Sequence, residues 1–180
     1  DGYFYLYATG GNTWIHKSKD LVHWTYVGGA YEDDKKPSWE PEAGIWAPDI
    51  NYINGKYVMY YSLSKWGGGA TCGIGVSVSD KPEGPFTDQG KLFRSNEIDV
   101  HNSIDPFYIE DNGKKYLFWG SWYGIWGIEL TEDGLGLKGG IENAKATKIQ
   151  VAANTGGTNA YEGSYILKRG KYYYLFCSTG

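Results

Sequence analysis

The sequence predicts an all-β protein built from repeated four-stranded units, and three observations carry that prediction. Seventeen Tyr, 8 Trp and 6 Phe accompany 27 Gly in 180 residues, a mixture that favours strands and tight turns over helices. No long amphipathic helical pattern is present; only Ile141 to Lys148 could form a helical turn. One hairpin plan also recurs. The first tyrosine after each hairpin turn is Tyr3, Tyr57, Tyr116 and Tyr172, spaced by 54, 59 and 56 residues.

The first unit opens with a turn at Asp1-Gly2 and an aromatic strand, Tyr3 to Tyr7. Trp14 to Ser18 follows, then a polar turn at Lys19-Asp20, after which Leu21, Val22 and Trp24 are expected to return to the core. A polar loop from Glu32 to Lys36 ends at Pro37. In the second unit, Ile50 to Ile53 and Lys56 to Tyr61 flank Asn54-Gly55, the favoured two-residue hairpin turn. A strand from Gly73 to Ser79 comes next, and the turn Asp80 to Pro85 leads to Phe86, the counterpart of Trp24.

The third unit pairs Pro106 to Ile109 with Tyr116 to Trp119 around Asp111-Asn112-Gly113. Gly127 to Leu130, a turn at Thr131 to Gly134, and Leu135 to Leu137 are read as completing it. A fourth unit starts with Ser164 to Leu167, turns at Arg169-Gly170 and continues through Tyr172 to Phe176. The expected segments are 1–43 for the rest of one blade, 44–98 and 99–160 for two more, and 161–180 for the start of another. A repeat of that length holding about four short strands is a propeller blade; a sandwich with irregular strand spacing is the alternative. Because a propeller closes with about 4 to 8 blades, the chain reads as an incomplete propeller domain. Its first unit lacks an innermost strand and its last lacks outer strands.

Charge and composition exclude several functions. The net charge of −4 is spread over both signs without a block of like charge, which leaves no basic patch for nucleic acid or a membrane surface. No apolar run approaches the ~20 residues of a membrane span. No secretory signal is visible. Cys72 and Cys177 lie 105 positions apart and read as buried free thiols on strands, with a disulfide as the other reading. His16, His23 and His101 share no metal-ligand spacing, so no metal ligand is assigned.

Three acids stand ahead of the innermost strands: Asp49 after Trp46-Ala47-Pro48, Asp105 before Pro106, and Glu162 before Gly163. Their separations, 56 and 57, match the repeat. Innermost strands of a propeller line its axis, so these carboxylates are expected to share one funnel. Like charges in a partly desolvated site raise one another's pKa, which supplies the protonated acid and ionised partner that glycoside hydrolysis uses. The bland alternative is that acids at strand starts cap turns. One repeat before Asp49 falls about seven residues ahead of Asp1, where a further axial carboxylate would stand. Trp46 could stack on a sugar ring or pack in the channel. Asn102 could bond a sugar hydroxyl or cap the turn into Asp105. Trp66, in the Gly67-Gly68-Gly69 loop, and Trp122 beside Ser121 could line a cleft.

The chain resembles glycoside hydrolase family 43, five-bladed propeller enzymes acting on arabinan, arabinoxylan and xylo-oligosaccharides. The resemblance rests on Gly2 to Thr9, Ser18-Lys19-Asp20-Leu21-Val22-His23-Trp24, Ile45-Trp46-Ala47-Pro48-Asp49, Ser79 to Phe86, Ser103-Ile104-Asp105-Pro106 and Glu162-Gly163-Ser164-Tyr165-Ile166. It implies that Glu162 is the general acid of an inverting glycosidase acting on arabinofuranosyl or xylosyl linkages. Asp105 would be the aspartate that orients that acid and raises its pKa. It also implies that the general base lies on an inner strand ahead of Asp1. Trp46, Asp49, Asn102 and Trp122 remain the candidate substrate contacts, with a plant cell-wall oligosaccharide or polysaccharide as partner. No cofactor is required; a structural calcium is known in complete propellers of the family, though the histidine usual for it comes from a later blade. Secretion or a periplasmic location follows from that function rather than from a signal. A non-catalytic carbohydrate-binding propeller is the alternative. A retaining fructosidase of family 32 fits less well, because Ile104 and Gly163 stand where that family has arginine and cysteine.

Overall fold

Asn54 and Gly55 both adopt positive φ (49° and 84°), as do Asn112 and Gly113 (50° and 74°). These backbones match the two-residue turns that suit the right-handed twist of antiparallel strands. Around such turns the computed structural model, which describes residues 2–153 and 161–179, places thirteen strands in four antiparallel sheets. The first sheet orders β1 (Phe4–Ala8), β2 (Trp14–Ser18) and β3 (Thr25–Gly29). The second orders β4 (Gly44–Ile53), β5 (Lys56–Ser64), β6 (Gly73–Ser79) and β7 (Thr87–Arg94). A short helix, α1 (Ser95–Ile98), precedes the third sheet, whose strands are β8 (Phe107–Asp111), β9 (Lys114–Ser121), β10 (Gly124–Glu129) and β11 (Ile149–Ala152). Helix α2 (Gly140–Thr147) lies between β10 and β11, and β12 (Tyr161–Arg169) pairs with β13 (Tyr172–Thr179). The turn opened by Asp1 and the expected boundary at residue 160 lie outside the described residues.

Two expectations are corrected. Leu135 to Leu137 is not the outer strand of the third sheet: Leu137 makes only an isolated bridge to Leu130, and β11 takes that place after α2. Leu21 and Val22 do not return to the core; Val22 is 72% exposed. Their backbone N–H groups, with that of His23, are drawn by Ser18 and Asp20 into a capped turn on which Trp24 Nε1 closes at Leu21 O. A turn built by local side-chain caps does not need its apolar residues in the core. Both cysteines are free: Cys177 is in β13, and Cys72 stands just before β6.

Packing follows the two-residue alternation of the strands. Met59, Tyr61 and Leu63 of β5 face the first sheet with Ile15, Tyr31 and Phe86. Val58 and Tyr60 of the same strand face the third sheet with Leu117, Trp119 and Tyr108, whose ring stacks on Tyr60 at 5.7 Å. No helix among the described residues is long and apolar enough to cross a membrane.

The entries to β4, β8 and β12 share one distortion. Trp46 pairs with Ser62 and Asp49 with Tyr60, so Ala47 and Pro48 together oppose Tyr61. Gly120 N–H donates to Ile104 O at 2.9 Å and Phe107 pairs with Phe118, so Asp105 and Pro106 oppose Trp119. Glu162 pairs with Ser178 and Tyr165 with Phe176, so Gly163 and Ser164 oppose Cys177. Each is a β-bulge, and its first residue has positive φ: Ala47 45°, Asp105 59° and Gly163 60°. Those three positions are 58 residues apart. The N–H of each donates to a side chain in the preceding sheet or next to one of its strands: Thr9 Oγ1 after β1, Ser62 Oγ in β5 and Asp105 Oδ2 ahead of β8.

Candidate active site

The bulges correct the register read from the acids themselves. Asp105 is the first bulge residue of its sheet, Glu162 stands one position before the equivalent site, and Asp49 two after it. Successive side chains of a strand point to opposite faces, so the three carboxylates are presented differently. Glu162 and Asp105 open on one cleft of about 370 Å³, together with Trp46, Asn102, Trp122 and the Trp66–Gly68 loop. Asp49 does not line it. Its Oδ2 accepts the Tyr108 backbone N–H at 2.7 Å and the Asn51 amide at 2.9 Å. Asp49 therefore ties the second sheet to the third, a positioning role rather than the expected substrate contact.

Glu162 is held from the neighbouring sheet. The Ser121 hydroxyl, at the end of β9, donates to its Oε1, and the Asn102 amide donates to Ser121 Oγ at 3.0 Å. Asn102 is 2% exposed, which makes it a support of Ser121 more than an open donor for a ligand. Asp105 is half-buried. Its N–H donates to Ser62 Oγ at 2.9 Å, and its Oδ2 accepts the Gly163 N–H at 3.3 Å. Burial pushes its carboxyl up to about 6, the negative charge of Glu162 adds to the rise, and the Gly163 N–H opposes it. Asp49 is likewise pushed up to about 6 by burial, against the pull of Tyr108 N–H and Asn51. Desolvation thus outweighs the expected mutual repulsion at both aspartates.

The aromatic walls differ in how they are fixed. Trp46 is half-buried and fits against Gly44, where an added Cβ would come within 2.8 Å of its Nε1. Trp122 stacks near His101 at 6.4 Å between centroids. Trp66 is 95% exposed, at the rim. Gly68 has φ +67°, and a Cβ there would fall 2.4 Å from Asn102 Oδ1 and 3.1 Å from the Trp122 ring. That close approach explains one glycine of the Gly67-Gly68-Gly69 run. Ser121, which holds Glu162, is a residue that sequence reasoning missed. Its only signal was its place beside Trp122 at the end of a strand that follows Asp105.

Among the described residues no three His, Cys, Asp or Glu side chains come together to hold a metal ion.

Two carboxyls side by side in an aromatic-lined cleft, one with a raised pKa, are the equipment of a glycoside hydrolase. The chain belongs to the glycosyl hydrolases family 43, whose model matches residues 1–180. It is similar to arabinan endo-1,5-α-L-arabinosidase C of Emericella nidulans, with 36% identity over 184 residues covering 100% of this chain and 55% of that protein. Arabinan endo-1,5-α-L-arabinosidase A of Aspergillus niger is 33% identical over the same shares. Among solved structures, Cellvibrio cellulosa α-L-arabinanase complexed with arabinohexaose superposes with a TM-score of 0.80 at 29% identity, over 100% of this chain and 62% of that one. An exo-1,5-α-L-arabinanase from a bovine ruminal metagenomic library gives 0.80 at 34% identity, over 98% and 61%. This chain spans about 55% of the length of the curated relatives it matches.

Proposed function

We propose that the protein is an inverting glycoside hydrolase of arabinan, in which Glu162 is the general acid and Asp105 orients it and keeps it supplied with its proton. The observation that carries this reading is the pair itself: Glu162, fixed by Ser121, lies beside a half-buried Asp105 in a cleft walled by Trp46 and Trp122. In this reaction Glu162 protonates the glycosidic oxygen as the bond to the anomeric carbon breaks, while water attacks from the opposite face. Asp105 and Glu162 are the only ionisable groups among the described residues lining the cleft. The described residues thus supply the acid half of the site, and water activation falls to a base across the sugar. Arabinofuranosyl linkages are favoured over xylosyl ones because the relatives named above carry arabinan or arabinanase in their names. The four sheets are read as successive blades of a five-bladed propeller, with segments 1–43, 44–98, 99–160 and 161–180, working outside the cell on plant cell-wall polysaccharide.

The test is Glu162→Gln in the full-length protein, assayed on linear 1,5-arabinan. Turnover should fall ~10²- to 10⁴-fold, the usual contribution of a general acid, and NMR of the wild-type reaction should show the inverted anomer first. Near-wild-type turnover of the variant would remove the acid assignment, and a retained anomer would remove inversion.

A further inference from the structure

The Glu162 carboxyl has two oxygens, and the structure treats them differently. Oε1 receives the Ser121 hydroxyl, whereas no side chain among the described residues donates to Oε2. Ser121 is 1% exposed, so the direction of its single proton is set by protein partners alone. A hydroxyl carries one donor and two acceptor lone pairs, and a side-chain amide nitrogen carries only donors. The Asn102 amide, 3.0 Å from Ser121 Oγ, therefore occupies a lone pair. The Ser121 proton then goes to Glu162 Oε1. Were Oε1 itself protonated, it would meet the Ser121 hydroxyl donor to donor, and one buried O–H would lose its acceptor at considerable cost.

We propose that Ser121 is a positioning residue that keeps Oε1 of Glu162 an acceptor and thereby places the transferable proton on Oε2, with Asn102 setting the direction of the Ser121 hydroxyl. Asn102 keeps its amide hydrogens on the Ser121 side while its Oδ1 sits 3.7 Å from Cys72 Sγ and against Gly68, which has no Cβ to displace it. The relay runs from the second sheet's rim through the third sheet to the fourth. On proton transfer to the leaving oxygen, the Oε2–H bond breaks and the resulting carboxylate is stabilised at Oε1 by the Ser121 O–H already in place. A preorganised donor aimed at developing charge acts mainly on the transition state. The inference rests on the reading of Glu162 as the acid.

The experiment compares Ser121→Ala, Ser121→Thr and Asn102→Asp in the full-length protein on two substrates. One is arabinotriose, whose leaving sugar needs protonation, and the other is 2,4-dinitrophenyl α-L-arabinofuranoside, whose leaving group does not. Ser121→Ala should lose ~10- to 100-fold in kcat on arabinotriose, the worth of one hydrogen bond to a charged group, with KM little changed and the aryl substrate nearly unaffected. Ser121→Thr, which keeps the hydroxyl, should recover most of the loss. Asn102→Asp, which offers Ser121 an acceptor and turns its proton away, should reproduce the Ser121→Ala pattern in a folded protein. Equal losses on both substrates, no loss at all, or failure of folded Ser121→Thr to recover arabinotriose activity would overturn the proposal. Should Ser121→Ala not fold, Asn102→Asp and Ser121→Thr decide by the same comparison. Glu162→Gln on the same two substrates separates the outcomes: a selective loss there without one in the Ser121 and Asn102 variants defeats this inference and leaves the acid standing.

Discussion

The second and fourth sheets are written in similar residues and end in different surroundings. Lys56-Tyr57-Val58-Met59-Tyr60-Tyr61 and Lys171-Tyr172-Tyr173-Tyr174-Leu175-Phe176 both follow a tight hairpin turn and both make a second strand. From Val58 onward β5 is buried on both faces, because the first and third sheets cover it, whereas Tyr172, Tyr173, Tyr174 and Phe176 of β13 are exposed. Local pattern decides that a strand forms; neighbouring sheets decide what it buries. The difference reaches the candidate site. Asp105 sits at the entry of a well-packed sheet and is anchored on Ser62, while Glu162 sits on the more exposed pair β12–β13 and is held by side-chain bonds. Those bonds are Ser121 to Glu162, Gly163 N–H to Asp105, and Lys168 and Tyr173 to Asp111.

The widest gap is expected in stability. Trp119 is fully buried, packs 5.0 Å from Phe93 and donates to Ser103 Oγ. In chemical denaturation of the 180-residue chain, Trp119→Ala should cost ~3–5 kcal/mol, and Tyr174→Ala about 0.5 kcal/mol or less. Comparable costs would mean that β13 is as well packed as β5.

A second prediction concerns the aspartates that join the sheets. Asp49 and Asp105 are raised to about 6 from an ordinary 3.8, so the folded chain binds these protons more tightly than the unfolded one. Their contribution to stability is full at low pH and declines as pH rises from about 4 through 6. Glu40, Glu83, Glu97 and Asp133 are lowered and work in the opposite sense, losing stabilisation as acid protonates them. The two sets oppose each other, so stability should fall off both in acid and as pH rises through about 6. Asp49→Asn should flatten the fall between pH 5 and 7 by up to about 1.4 kcal/mol per pH unit, the value of one proton. An unchanged slope would show that Asp49 does not titrate there.

The smallest effect is local. Asp111→Ala removes the partner of Lys168 and Tyr173. Backbone amide exchange should quicken in β12 and β13 and stay unchanged in β5 and β6. Equal acceleration everywhere would place Asp111 in the core's cooperative unit instead.

Much of this was legible in the residues. Alternation and Asn-Gly turns located the hairpins, Gly73 to Ser79 is a strand at those bounds, and Ile141 to Lys148 marks α2 almost to the residue. Five of the six named site residues, Trp46, Asn102, Asp105, Trp122 and Glu162, line one cleft. The register of the acids was not legible, because separations of 56 and 57 approximate a structural repeat of 58 set by the bulges, and a shift of one or two residues redirects a carboxylate. Outer strands were harder still. A helix between β10 and β11 displaces the closing strand beyond the leucines that look like one. Ser121 carries little sequence mark beyond its place next to Trp122, since a hydroxyl becomes informative only when its neighbour across the sheets is known.

The most direct measurement plots log kcat/KM against leaving-group pKa for a series of aryl α-L-arabinofuranosides, with wild type and Glu162→Gln compared in the full-length protein. If Glu162 delivers the proton, the wild-type line is shallow and the variant's is steep. The two should converge on the best leaving groups and separate by orders of magnitude on the poorest. Parallel lines would contradict the assignment of Glu162 as the acid, and with it the reading of this cleft.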